Sequence, residues 1–407
     1  MTADATLPLP LPGTQHFINP KQIPAERDFV ALSAFGAFVR WMAVAAAILM
    51  MFLAVYLILD GAYALGSPAI GRLFDLATNP VIGLLIGVIA TSAIQSSTAV
   101  TALTVTAVGT GGVSVAVAVP IILGANVGTT ITAMIVSFSY LGHRRSFRRA
   151  FASASLHTWF NGLFVLVAFI LELLFQPLSR TAGLVSDTVV GDAATDTGRE
   201  LASLFAPLID AVGVQGLLGT VMSARAAAVV AILAGTLLIL GAIRILNAQL
   251  SVLTAATTRT LLERSSGASD ALGVLSGALV TMAVNASSVT VSSLLPFAVT
   301  RTLKMREALS ITLGANVGTT LMSLLAALAV PGPMGTLAVQ AALVHVSFNV
   351  MSALLVIIIP PLRELIIRLA EFSGRVAARG YSAAAAMMAT GYFVVPALII
   401  LVYSVVS

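Results

Sequence analysis

Runs of roughly 20 apolar residues recur along most of this chain, and a helix of that length crosses the hydrocarbon core of a bilayer. Only 9% of the 407 residues are charged, whereas soluble domains carry about 25%. We therefore predict an all-α polytopic membrane protein. The predicted spans lie at about 41–60, 114–138, 151–175, 225–246, 308–330, 335–360 and 383–405.

Two further apolar stretches, about 80–108 and 271–299, are interrupted by polar residues near their middles. The interruptions are called here the first tip, Gln95–Thr98, and the second tip, Asn285–Ser288. Each remaining piece is about 11 to 16 residues long, too short to span a bilayer. Irregular backbone at that depth is tolerated only where protein buries it or where it lines a cavity. We therefore predict two re-entrant helical hairpins.

The basic residues predict the side on which each connection lies. With a cytoplasmic N-terminus and hairpins that return to their side of entry, 17 of the 21 Lys and Arg residues fall inside. The exceptions are Arg72, Arg180, Arg199 and Arg225. Cytoplasmic loops carry an excess of Lys and Arg, so we expect a multi-pass protein of the cell membrane. Its two hairpins would enter from opposite faces.

The phrase LGANVGTT occurs twice, at Leu123–Thr130 and Leu313–Thr320, and the two tips are separated by the same interval. Each copy is followed by a related phrase, HTWFN at 157–161 and HVSFN at 345–349. An odd number of crossings in each half would invert the second copy relative to the first. Inverted repeats with broken helices are typical of secondary transporters, whose site lies at the midplane between the repeats.

The predicted organisation has five parts. They are a disordered cytoplasmic tail at 1–38, a first transmembrane repeat at 39–175, an extracytoplasmic loop at 176–224, a second, inverted repeat at 225–361, and a basic cytoplasmic segment with the last transmembrane helix at 362–407. The tail has no apolar core followed by a cleavage site, so we expect no signal peptide.

The repeated phrase places polar residues inside an apolar span of each half. Its glycines and asparagine would let the helix open; the freed carbonyls, with the Asn and Thr oxygens, suit Na⁺, and freed N–H groups suit an anion. The other interpretation is that small residues only let helices pack closely. The candidate residues are Asn126, Thr129, Thr130, Asn316, Thr319 and Thr320.

The tips add amides and hydroxyls, which can bind an oxyanion, a cation or both. Alternatively, these side chains only cap the ends of the short helices. The candidate binding residues are Gln95, Ser96, Ser97, Thr98, Asn285, Ser287 and Ser288. The predicted site contains no Lys, Arg or carboxylate, and an isolated charge within a membrane is expensive. Ion and substrate would therefore have to neutralise each other.

Two histidine–asparagine pairs, His157 with Asn161 and His345 with Asn349, have the spacing that puts both side chains on one helix face. The histidines could carry protons or contact substrate, or each pair could be a buried strut that holds the adjacent broken helix. We favour the strut. No carboxylate lies at metal-ligand spacing, so Na⁺ is the metal ion expected, and we predict no other cofactor.

These motifs closely resemble the two repeats of the sodium-dependent phosphate cotransporters, the type II family of animals and its bacterial relatives. The resemblance rests on QSST with PIILGANVGTT and LHTWFN, and on NASS with LGANVGTT and VHVSFN. It implies import of inorganic phosphate with sodium, held by the tips and the unwound segments. The matching positions are Gln95–Thr98, Asn126, Thr129, Thr130, Ser287, Ser288, Asn316, Thr319 and Thr320. The family has Gln-Ser where this chain has Asn285 and Ala286.

Other classes of function predict other features. A sodium-coupled carrier of another small anion, such as sulfate or a carboxylate, would keep the architecture. An intramembrane serine hydrolase would pair a serine with a histidine, and a channel would not need two inverted hairpins. We predict a transporter rather than an enzyme, with phosphate, Na⁺ and lipid as its partners. The net charge of +5 is explained by basic residues on one side of a membrane, so nucleic acid is not expected.

Overall fold

The computed structural model describes residues 33–264 and 269–406, and every regular element in these ranges is helical. Most of the predicted N-terminal tail lies outside the described residues. Helices α1 to α7 are Ala34–Leu65, Ser67–Leu73, Pro80–Ile94, Ser97–Gly109, Val115–Gly128, Ile131–Ser137 and Arg144–Phe175. Helices α8 to α14 are Pro177–Val185, Gly191–Val212, Leu217–Val221, Ala224–Leu253, Ala255–Arg264, Asp270–Val284 and Ser287–Ser293. Helices α15 to α21 are Leu295–Thr300, Met305–Gly318, Leu321–Leu328, Pro333–Ile358, Pro360–Ala377, Tyr381–Ala389 and Val395–Val406.

Eight helical segments of the described chain are long and apolar enough to cross a membrane, which confirms the predicted all-α polytopic fold. Seven of them correspond to the predicted spans. The eighth, Gly198–Val221, lies in the segment that we predicted to be an extracytoplasmic loop. The sequence obscures this segment because Glu200 and Asp210 divide its apolar residues, and a turn at 213–216 separates α9 from α10.

Two pairs of short helices carry the tips. Helix α3 ends at Ile94 because Gln95 adopts the left-handed conformation, with φ of 57°, and α4 begins at Ser97. Helix α13 ends in the same way at Val284, because Asn285 is left-handed with φ of 56°, and α14 begins at Ser287. Left-handed residues end helices, and asparagine, as at Asn285, tolerates this conformation better than most side chains. Both polar interruptions are therefore sharp turns between short helices.

The repeated phrase interrupts its helices later than we expected. Helix α5 continues through Gly124 and Asn126 to Gly128, and only Thr129 and Thr130 separate it from α6. The backbone hydrogen bonds continue across this point, from Thr129 N to Ala125 O at 3.1 Å and from Thr130 N to Val127 O at 3.1 Å. Helices α16 and α17 are related in the same way by Thr319 and Thr320. The expected opening at the glycines is not observed.

The glycines of the phrase serve close packing between helices. A Cβ atom on Gly124 would lie 2.0 Å from the carbonyl oxygen of Leu84 in α3. A Cβ atom on Gly314 would lie 1.9 Å from the carbonyl oxygen of Val274 in α13. Small residues allow transmembrane backbones to approach to this degree. The packing interpretation of the glycines is therefore correct, and each interrupted helix lies directly against the helix that precedes a tip.

An ion-pair cluster joins the start of α13 to two other helices. Asp270 accepts hydrogen bonds from Arg306 Nη2 at 2.6 Å, at the start of α16, and from Arg363 Nη1 at 2.5 Å, in α19. Trp159 in α7 donates to Ser373 Oγ at 2.8 Å, so α19 also packs along α7. The amphipathic helix α19 is thereby attached to both halves of the chain.

Candidate functional site

The two tips meet at a small polar cavity. Its lining comprises both tips, two threonines of the repeated phrase and one residue of α11: Gln95, Ser96, Ser97, Thr98, Thr129, Asn247, Asn285, Ala286, Ser287, Ser288 and Thr319. None of these residues carries a charge. Hydroxyl and amide groups both donate and accept hydrogen bonds, so the lining offers donors that suit an oxyanion and acceptors that suit a cation.

The first tip contacts the repeated phrases of both halves. Ser97 donates to Thr129 Oγ1 at 3.3 Å, and the hydroxyl oxygens of Thr98 and Thr319 lie 3.5 Å apart. All four side chains are buried. Threonines from two distant parts of the sequence therefore lie beside the same tip, as expected of a site built between two halves.

The second tip differs from the first at one helix cap. Ser96 accepts a hydrogen bond from Ala99 N at 3.2 Å and so caps α4, whereas Ala286 occupies the same position before α14 and has no side chain that can do so. In the first tip the hydroxyl that Ala286 lacks thus serves as a cap. The capping interpretation applies to Ser96, which also lines the cavity.

Four of the predicted binding residues do not line the cavity. They are Asn126, Thr130, Asn316 and Thr320. The two asparagines bind the histidine–asparagine pairs instead, and each pair binds the phrase of the opposite half. His157 Nε2 lies 2.7 Å from Asn316 Oδ1, and Asn316 Nδ2 donates to Asn161 Oδ1 at 3.0 Å. Each pair is therefore hydrogen-bonded to the phrase of the other half and not to the adjacent phrase, and each such hydrogen-bonded set is called here a strut.

The reciprocal strut is looser. His345 Nε2 and Asn349 Nδ2 lie 3.3 and 3.2 Å from Asn126 Oδ1. The Asn126 amide nitrogen donates to Ile122 O of its own helix at 2.9 Å, and within the described chain Asn349 Oδ1 is left without a partner. All of these side chains are buried. The two halves therefore have the same strut residues but different hydrogen-bond networks.

The last helical segment is hydrogen-bonded to the first half. Thr130 Oγ1 is hydrogen-bonded to the hydroxyl of Tyr392, and Thr158 Oγ1 lies 3.3 Å from that same hydroxyl. Thr320, the counterpart of Thr130, donates to Val317 O at 2.8 Å, as Thr130 does to Val127 O at 2.9 Å. The sequence did not indicate Tyr392, because it lies outside the repeated part of the chain.

Comparison with known proteins identifies the family. The model of the Na⁺/Pi-cotransporter family matches residues 41–186 and 237–372, one segment in each half. The chain belongs to the Na⁺/Pi-cotransporter family. This family consists of transporters, so the serine hydrolase alternative is set aside.

The chain is also similar in sequence to individual sodium-dependent phosphate transport proteins. The chain is 30% identical to sodium-dependent phosphate transport protein 2A of Mus musculus, over 90% of this chain and 68% of that protein. It is 27% identical to sodium-dependent phosphate transport protein 2B of Pongo abelii, over 83% of this chain and 62% of that protein. The match to the 2A protein of Rattus norvegicus covers 60% of that relative. No solved structure matches the chain significantly.

One cavity residue of this Na⁺/Pi-cotransporter family member was missed by sequence reasoning. Asn247 lies in α11, within the sequence RILNAQL. An amide in a membrane helix was the available signal, but it has no counterpart in the first half, where Leu57 stands at the corresponding position of α1. The described residues contain no group of three or more His, Cys, Asp or Glu side chains that could hold a metal ion.

Proposed function

We propose that the chain is a sodium-coupled symporter that imports inorganic phosphate across the cell membrane by alternating access. The observation that carries the proposal is the uncharged polar cavity between the tips, lined by threonines of both repeated phrases. The names of the relatives supply the substrate and the ion, sodium and phosphate. The chain spans only about 60 to 68% of the length of these relatives.

The chemistry of the cavity suits this pair of solutes. Hydroxyl groups of Ser97, Thr98, Ser287 and Ser288 can donate to phosphate oxygens, while the same oxygens and the amide carbonyls can coordinate Na⁺. Since the lining supplies no fixed charge, each ion would be unfavourable alone at this depth. Joint binding lowers that cost for both, and this is the physical basis of coupling.

The architecture supports alternating access. Two tips, two interrupted helices and two crossed struts recur in the two halves, and an inverted relation between the halves would allow them to exchange conformations about a fixed site. The unequal struts at Asn126 and Asn316 are consistent with such an asymmetric state. In this proposal the tips belong to re-entrant hairpins that enter from opposite faces.

Uptake of ³²P-phosphate into proteoliposomes tests the function. We expect uptake that requires an inward sodium gradient, is lost when choline replaces sodium, and is not inhibited by excess sulfate or dicarboxylate. Inhibition by sulfate or a dicarboxylate together with absent phosphate uptake would favour the carrier of another anion. Uptake that continues in choline would exclude sodium coupling.

Topology is predicted from the same arrangement. Arg145 and Lys304 should be cytoplasmic and Asp196 extracytoplasmic, as the positive-inside rule indicates. This topology requires that Gly198–Val221 does not cross the membrane, because a crossing there would move the basic residues after it to the outside. The chain contains no cysteine, so single Cys replacements at these three positions give one labelling target each. In intact cells, an impermeant thiol reagent should label Asp196→Cys only. Labelling of Lys304→Cys from outside would contradict the inverted second half.

A further inference from the structure

We propose that Asn247 supplies an oxygen ligand for the sodium ion in the cavity between the tips. The proposal rests on the function proposed above, since it takes the cavity as an ion site. Asn247 is contributed by α11, a helix outside both tips and both repeated phrases. It is the lining residue that reaches the cavity from this third part of the fold.

Hydrogen bonds set the orientation of the Asn247 amide. With its nitrogen placed to satisfy the surrounding acceptors, it donates to Ile243 O at 3.3 Å and to Asn285 O at 3.1 Å. The first acceptor belongs to its own helix and the second to the residue that opens the second tip. Both bonds use the nitrogen, and Asn247 lines the cavity, so we assign its side-chain oxygen as the group that meets a ligand there.

The chemistry of the amide oxygen favours a cation over an unprotonated phosphate oxygen. An amide carbonyl oxygen accepts but cannot donate, so it cannot bind an unprotonated phosphate oxygen. Backbone carbonyl oxygens, which are amide oxygens too, coordinate Na⁺ in transporters with interrupted helices. The bond to Asn285 O also ties the ligand to the second tip, so a change in the position of that tip would move the ligand.

The distribution of polar groups in the two halves supports the same role. The first half has a hydroxyl at Ser96 and an apolar Leu57 in α1, whereas the second half has Ala286 and a polar Asn247 in α11. Compared with the first half, the second half therefore contributes one polar side chain fewer to the lining from its tip and one more from α11. Asn247 compensates the cavity for the oxygen that Ala286 does not provide.

Sodium binding to the purified protein tests this inference without any measurement of transport. The unfolding temperature is followed in detergent against NaCl, with choline chloride to hold ionic strength and with phosphate omitted. We expect Asn247→Ala to need about 10- to 100-fold more sodium than the parent for the same stabilisation, the range for loss of one contact to a charged partner. The ratio of sodium to lithium responses should change too, which a merely structural role would not produce.

Two variants control the measurement. Gln249→Ala removes an amide two residues further along α11, where its oxygen accepts from Arg40 Nη1 at 2.8 Å instead of facing the cavity, and it should respond to sodium as the parent does. Asn247→Asp keeps an oxygen and should retain sodium stabilisation, even if Asn247→Ala does not fold.

Three outcomes would overturn the inference. They are a parental sodium response in Asn247→Ala, a lost response in folded Asn247→Asp, and a parent that sodium does not stabilise. A parent that binds sodium through Asn247 but does not take up phosphate would refute the proposed function and leave this inference standing.

Discussion

Gly314→Ala is expected to lower the free energy of unfolding by about 3 kcal/mol, the upper end of the range for overpacking in a core. The added methyl group would lie 1.9 Å from Val274 O, and on the facing helix a Cβ at Gly277 would lie 2.0 Å from Ile311 O. In both contacts the added methyl group would meet a backbone oxygen, which cannot move independently of its helix. The steric clash could therefore be relieved only if α13 and α16 moved apart. Gly314→Val should prevent recovery of monodisperse protein, and phosphate uptake with it.

Gly162→Ala is the matched control. It adds the same methyl group to a membrane helix, α7, at a position where nothing lies within 4 Å. Replacing a glycine within a helix by alanine gains roughly 0.5–1 kcal/mol, so this variant should be as stable as the parent or slightly more so. The comparison is made by thermal unfolding and size-exclusion chromatography. A Gly314→Ala variant that unfolds at the parental temperature would contradict the close approach of the two helices.

Asn316→Leu is expected to have an effect of comparable size for a different reason. It removes the partner of His157 Nε2 and of Asn161 Oδ1, both fully buried. Each buried polar group left unpaired costs about 1–3 kcal/mol, so the loss should be roughly 2–6 kcal/mol. Asn126→Leu should cost less, because the contacts of Asn126 with the opposite half are longer, at 3.2 and 3.3 Å.

A double-mutant cycle identifies the strut. If His157 and Asn316 act through each other, the effects of His157→Leu and Asn316→Leu should not add, and the double variant should recover part of the stability. Thermal unfolding and uptake are measured together on all three variants. An Asn316→Leu variant that is stable but inactive would instead make Asn316 a direct ligand, as the repeated phrase suggested. A variant that is both stable and active would leave Asn316 a packing residue.

Sequence reasoning predicted the residues of the cavity better than the roles of the repeated phrase. The tips could be predicted because polar residues interrupt two long apolar stretches and leave pieces that are too short to span a membrane. The roles of the residues in LGANVGTT were harder to predict, because its glycine, asparagine and threonine residues are all small but make different contacts. Gly124 and Gly314 allow close contact between helices. Asn126 and Asn316 are hydrogen-bonded to the opposite half. Thr129 and Thr319 line the cavity.

The sequence by itself determined the all-α membrane fold, the number of repeated elements and the family. Apolar length, polar interruption and repetition are all properties of the order of residues along the chain. Only the tertiary structure decided that the struts cross between halves and that Asn247 joins the cavity. Each of these depends on which helix faces lie together, and residues such as Asn316 and His157 meet across 159 positions of sequence. Spacing within one helix predicts a shared face, but it carries no information about the partner which that face meets.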